Sequence, residues 1–120
     1  MKLSEVRDIL NAKVLTGEEL LENEVNSACG CDLMSDVLAF VKDRALLLTG
    51  LMNPQVIRTA EMMDITAIVF VRGKVPEDSL VGMAKMKDMV LLSTEYPLYI
   101  ACGKLYLDGL RGNQGGIVDG

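Results

Sequence analysis

The chain contains no histidine, which removes both the commonest general base at neutral pH and the commonest transition-metal ligand. Any catalysis would have to draw on carboxylates, thiols, lysine or a cofactor. No nucleophile–base pair and no Walker-type phosphate loop can be picked out either. The expectation is a protein that binds rather than an enzyme. No apolar run reaches the ~18 residues of a membrane span, because Lys42, Asp43, Arg72, Lys74 and others interrupt every candidate. Basic residues never cluster beyond pairs and the net charge is −5, which argues against nucleic acid and against an anionic membrane surface. The opening MKLSEVRDIL carries charges where a signal peptide needs an apolar core. A cytoplasmic protein with reduced cysteines is expected.

What the chain does have is regular apolar patterning. Half of its 120 residues are apolar, enough for one globular domain with a core of its own. From residue 44 onward the pattern repeats. RALLLTG (44–50), ITAIVFVRG (65–73) and MVLLSTE (89–95) are short, continuous apolar runs, as expected of strands covered on both faces. Between and after them come helical patterns at 53–64, 76–88 and 97–110, with Val56, Ile57, Ala60 and Met63 on one face of the first and Leu80, Val81 and Ala84 inward on the second. Pro54, Pro76 and Pro97 each stand where a helix begins. Three such strand–helix units predict parallel strands with helices on the faces, an α/β three-layer sandwich with a mainly parallel sheet.

The first 43 residues are less regular. Leu3, Val6, Ile9 and Leu10 fit a short helix capped by Ser4, Lys13–Thr16 a strand, Glu18–Glu22 a helical turn and Glu24–Cys29 another strand. A helix then follows Cys31 or Asp32, with Leu33, Met34, Val37, Leu38 and Val41 in one stripe. No linker or low-complexity segment interrupts the chain. Residues 1–110 read as a single domain, and the glycine-rich residues 111–120 as a flexible tail.

The segments LLLTGLMNPQVIRTAEMMDITAIVFVRG and VLLSTEYPLYIACGKLYLDGL, with CDLMSDVLAFV ahead of them, resemble the DRTGG domain family in order and spacing over about residues 1–110. The resemblance implies an α/β domain similar to the N-terminal domain of HPr kinase/phosphatase. Such domains also occur fused to CBS domains and at the N-terminus of long phosphotransacetylases, where a sensing or regulatory role is inferred. Stand-alone members tend to lie beside iron-hydrogenase genes, and some are labelled iron–sulfur-binding hydrogenase components. The chain departs from the family's name-giving residues. Leu51 and Met52 stand where Asp-Arg is expected, and Val71, Arg72 and Gly73 where Thr-Gly-Gly is expected.

In an open parallel sheet, ligands bind beyond the carboxyl ends of the strands. That rule selects Thr49, Gly50, Leu51, Met52 and Asn53, then Arg72, Gly73 and Lys74, then Ser93, Thr94 and Glu95. Glycines, hydroxyls, two cations and helix N-termini together suit a phosphate or carboxylate. The plainer alternative is that Gly50 and Gly73 are turn residues and that Asn53, Ser93 and Thr94 cap helices. Ser35 and Asp36 match the family's segment and join the list of crevice residues; Asp32 reads as an N-cap.

Cys29 and Cys31 point to the same side of an extended segment. With Cys102 and a carboxylate such as Asp32 they make a metal set for an iron–sulfur cluster or zinc. Against this stands a tight turn with packing thiols, the reading preferred here. Met52, Met62, Met63, Met83, Met86 and Met89, together with Leu51, predict an exposed apolar patch and a homodimer. The expected function is a non-catalytic binding or regulatory module sensing an adenine nucleotide or another phosphate-bearing small molecule. An accessory of an iron-hydrogenase or other redox system and a structural protein-interaction module are the alternatives.

Overall fold

The computed structural model describes residues 1–35, 37 and 44–111. Its elements are α1 (Leu3–Ile9), β1 (Lys13–Thr16), a 3-10 turn (Glu18–Leu20), β2 (Ser27–Gly30), β3 (Ala45–Thr49), α2 (Pro54–Met62), β4 (Ala67–Phe70), α3 (Asp78–Met86), β5 (Val90–Ser93) and α4 (Leu98–Leu107). The strands form one sheet in the order β1-β5-β4-β3-β2. The four strands β2 to β5 run parallel, and β1 closes the β5 edge antiparallel.

The continuous apolar runs follow from this position. All residues of β3, β4 and β5 are buried, because helices cover both faces of the sheet. Alternate residues face alternate cores. Leu46, Leu48, Ala67, Val69 and Leu92 meet Val6 and Leu10 of the α1 region and Ala101 and Leu105 of α4. Leu47, Ile68, Phe70 and Leu91 meet Val56, Ile57 and Ala60 of α2, Leu80 and Ala84 of α3, and Met34 and Val37. The three-layer α/β sandwich predicted from the sequence is the fold observed.

Local differences have identifiable causes. Lys2, not Ser4, is the N-cap of α1. The strand expected from Glu24 begins at Ser27, while Glu24 makes an isolated antiparallel bridge with Lys2. Pro54 is the first residue of α2, whereas Pro76 precedes the N-cap Glu77 of α3 and Pro97 is itself the N-cap of α4. Met34 and Val37 are buried but Leu33 is 58% exposed, so Leu33 does not share their stripe. Asp36, Leu38, Val41 and the tail beyond Arg111 lie outside the described residues.

The four helices bounded above end in the same way. Asn11, Asp64, Asp88 and Gly109 take positive φ, and the next residue sends its N–H back five residues, to Arg7, Ala60, Ala84 and Leu105 respectively. These are Schellman stops. The residue after the stop is buried at Ile65, Met89 and Leu110, which pins each helix end to the core.

Candidate functional site

The parallel strands bring the loops after β2, β3, β4 and β5 to a single edge of the sheet. Toward the β2 end of that edge stands Asp32. Its Oδ1 accepts from the Thr49 hydroxyl at 2.9 Å and from the Gly50 N–H at 2.8 Å. Asp32 therefore staples the loop after β2 to the loop after β3. Thr49 is fully buried; its hydroxyl donates to Asp32 and accepts from the Leu51 N–H, which stiffens the turn. Asn53 does cap α2, accepting from the Gln55 N–H at 3.1 Å.

Two cations lean over the same loop. Lys74 Nζ donates to the Gly50 carbonyl at 3.1 Å. A Cβ placed on Gly50 would lie 2.9 Å from Arg72 Nη2 and 3.7 Å from Asp32 Oδ1, so guanidinium and carboxylate flank that glycine. The Asp32 carboxyl is held below the usual carboxylate range, first by the Gly50 N–H and then by the Thr49 hydroxyl and the charges of Arg72 and Lys74.

Arg72 and Gly73 both have positive φ, 58° and 68°, and the Lys74 N–H returns to the Val71 carbonyl, the pattern of a type I′ turn. Glycine suits such a position, whereas an arginine there costs about 1 kcal/mol or more. The turn is zipped to the β5 loop. Arg72 N–H donates to the Tyr96 carbonyl, Gly73 N–H to the Thr94 carbonyl, and the Ser93 hydroxyl to the Lys74 carbonyl. The Glu95 carboxylate lies over Gly73, where an added Cβ would come within 2.6 Å of its Oε2.

This zipper closes part of the edge. The chain leaves β4 for α3 on one face of the sheet and leaves β5 for α4 on the other, so the topological switch point lies between β4 and β5. Hydrogen bonds close it. The exposed cation Arg72 and half-buried Lys74 instead reach back toward β3. The loops after β2, β3 and β4 also carry Leu33, Met52 and Val75, all exposed.

The sequence-derived residues thus divide. Thr49, Gly50, Asn53, Arg72, Gly73, Lys74, Ser93 and Thr94 share this edge. Ser93 and Thr94 do not cap α4. Ser93 braces the Lys74 loop, and Thr94, donating to the Leu10 carbonyl and accepting from the Tyr96 N–H, ties that loop to the end of α1. Ser35 is exposed on the helical segment that follows Asp32, and Asp36 lies outside the described residues. Leu33 and Val75 are residues of these loops that the strand-end rule does not select. Asp32 is expected from the sequence as an N-cap, and the register of β2 against β3 is what brings it to Thr49 and Gly50.

The cysteines do not converge. Cys29 and Cys31 pack on the α2/α3 side of the sheet and Cys102 on the α4 side, where its sulfur occupies the space a Cβ on Gly30 would need. Burial raises the Cys102 thiol above its ordinary pKa. Cys31 Sγ is engaged with its own turn, accepting from the Leu33 N–H and donating to the Leu33 carbonyl. Among the described residues no three or more Cys, Asp or Glu side chains are grouped to hold a metal ion.

The fold has a known counterpart. The chain is similar, with a TM-score of 0.70 and 12% identity, to the crystal structure of the CBS and DRTGG domains of the regulatory region of Clostridium perfringens pyrophosphatase, complexed with its activator, diadenosine tetraphosphate. The similarity covers 97% of this chain and 52% of that one, so the chain spans about half the length of its counterpart. At this identity the likeness is one of fold, and it supports the DRTGG-like architecture. No family model and no curated protein matches the sequence. Among the described residues no helix is long and apolar enough to cross a membrane.

Proposed function

We propose that this chain is a non-catalytic regulatory module that binds a phosphate-bearing small molecule, with an adenine nucleotide as the first candidate, at the carboxyl edge of its sheet. The observation that carries this reading is Arg72. An exposed arginine held at positive φ, with its guanidinium beside Gly50, is a strained choice at a turn that glycine or asparagine would fill more easily. Strain kept at a ligand-binding edge is accounted for when the side chain it presents is used. Lys74 supplies a second cation, and exposed Leu33, Met52 and Val75 offer apolar surface for a base. The activator of the similar pyrophosphatase region is itself a dinucleotide, which favours the same ligand class.

In this reading Asp32 acts as a resident anion. Its carboxylate occupies the Thr49 and Gly50 donors that a phosphate would otherwise take, and an incoming phosphate competes for them and for Arg72 and Lys74. Displacing Asp32 would shift the segment that leads from β2 into the helical residues Met34 and Val37, a route from ligand to partner. Regulation follows if the ligand favours one of two states of that partner.

The test is thermal unfolding and titration calorimetry with AMP, ATP, diadenosine tetraphosphate and inorganic phosphate, on the natural chain and on Arg72→Gly. A nucleotide is expected to raise the melting temperature in proportion to occupancy. Arg72→Gly is expected to weaken binding about tenfold or more while stabilising the unliganded protein by about 1 kcal/mol, as the positive-φ cost is relieved. Absence of any melting shift at millimolar nucleotide and phosphate overturns the proposal.

A further inference from the structure

Helix α4 is apolar on both sides. Its inner side buries Ala101 and Leu105 against the sheet. Its outer side leaves Tyr99 86%, Ile100 41%, Tyr106 51% and Leu107 85% exposed. Between them lies exposed Gly103, where an added Cβ would meet nothing within 4 Å. At roughly 100° per residue these five positions form one band about 120° wide. No residue in the band is charged.

The band has a symmetry of its own. Tyr99 and Ile100 precede Gly103 by four and three residues, and Tyr106 and Leu107 follow it by three and four. Two copies of α4 laid antiparallel about Gly103 would set each Tyr99 opposite a Leu107 and each Ile100 opposite a Tyr106. An isologous contact needs such a self-matching patch. The residue on the two-fold axis meets its own copy, so a charge there would repel and bulk would hold the helices apart. Glycine avoids both. The nearest cation, Lys104, is drawn aside, its ammonium 4.8 Å from the centre of the Tyr96 ring in the same chain. Arg111 likewise lies over Tyr106, 4.0 Å from the ring centre, and backs that ring from the helix end.

We propose that a second copy of this chain docks on the outer face of α4, antiparallel about a two-fold axis through Gly103. The four large side chains offer on the order of 400 Å² per copy, about 800 Å² in the pair, which is the size of a weak and concentration-dependent dimer. The methionine-rich surface is the rival face. Met62 and Met86 are 71% and 88% exposed, but they end α2 and α3 in the other helical layer and carry no such symmetry.

Sedimentation equilibrium across the micromolar range tests this with three proteins: the natural chain, Gly103→Arg, and the double variant Met62→Glu with Met86→Glu. The natural chain is expected to approach twice its 13.1 kDa mass as concentration rises. Gly103→Arg places like charges on the axis and should stay at one chain mass with a melting temperature no lower, since the site is open and arginine favours helix over glycine. The double methionine variant should dimerise as the natural chain does. A natural chain that stays monomeric, a dimer that survives Gly103→Arg, or a dimer lost only in the methionine variant each overturns the proposal.

Discussion

Replacing Asp32 by alanine removes one oxygen that serves two donors. The Thr49 hydroxyl and the Gly50 N–H both lie in buried residues, and each then depends on water reaching it past the loops. A hydrogen bond to a charged group contributes about 1.5–3 kcal/mol, and an orphaned buried donor costs about 1–3 kcal/mol. Asp32 itself is exposed, so solvent screens part of this, and a net loss of about 2 kcal/mol is expected. Asp32→Asn keeps the acceptor geometry without the charge and should cost about 1 kcal/mol. For a domain of this size the alanine variant should melt roughly 5–10 °C lower. The sign of the pH dependence follows from the carboxyl being held below its ordinary range. Its contribution is present above the unfolded value of about 3.9 and is lost as pH falls through the lower folded value. The stability gap between natural chain and variant should therefore be flat from neutral pH to about 5 and close below about 4. Urea unfolding at several pH values measures it. A gap under about 0.5 kcal/mol at neutral pH would refute the staple. A second readout bears on function, because removing a resident anion should strengthen phosphate binding to Asp32→Asn several-fold; weaker binding would mean that Asp32 positions the cations instead of competing with the ligand.

Two further outcomes concern the backbone. Asp64→Gly and Asp88→Gly, at helix stops with φ of 55° each, should each stabilise the fold by about 0.5–1 kcal/mol in urea unfolding, glycine being the easier residue there. Gly17→Ala should destabilise by about 2 kcal/mol or more and lower the expression of soluble protein, because the site has φ 87° and an added Cβ would meet Val90 Cγ2 at 2.8 Å and the Met89 carbonyl at 2.9 Å. A neutral Gly17→Ala would mean that β1 packs less closely against β5 than described.

Legibility follows the range of the forces involved. The strands at 45–49, 67–70 and 90–93 could be read because double-sided burial demands apolar residues at every position, a local signature. The helix stops were readable in principle, as Asp-Ile, Asp-Met and Gly-Leu at their ends, yet Asp64 and Asp88 look like ordinary surface acids until their φ is known. Capping is the plainer alternative for Ser93 and Thr94 because hydroxyls before a helix usually cap it. Here Thr94 is buried, and its hydroxyl goes instead to the Leu10 carbonyl, 84 residues away in the chain. The gathering of Thr49, Gly50, Arg72 and Lys74 at one edge needed only the parallel topology, which the pattern implied.

The chain's own pattern determined the three-layer α/β architecture, the parallel core strands and the placing of most loop residues at one edge, because unbroken apolar runs and the three-to-four-residue spacing of helices are local signatures that survive without partners. Tertiary structure decided the rest. It joined Asp32 to a loop 18 residues further on, put an arginine at positive φ, separated Cys102 from Cys29 and Cys31 across the sheet, and left one apolar side of α4 uncovered. Each of these depends on which face or register a segment takes once packed. A side chain's chemical type is written in the sequence, but the neighbour it meets across the sheet is chosen by the packing of the whole.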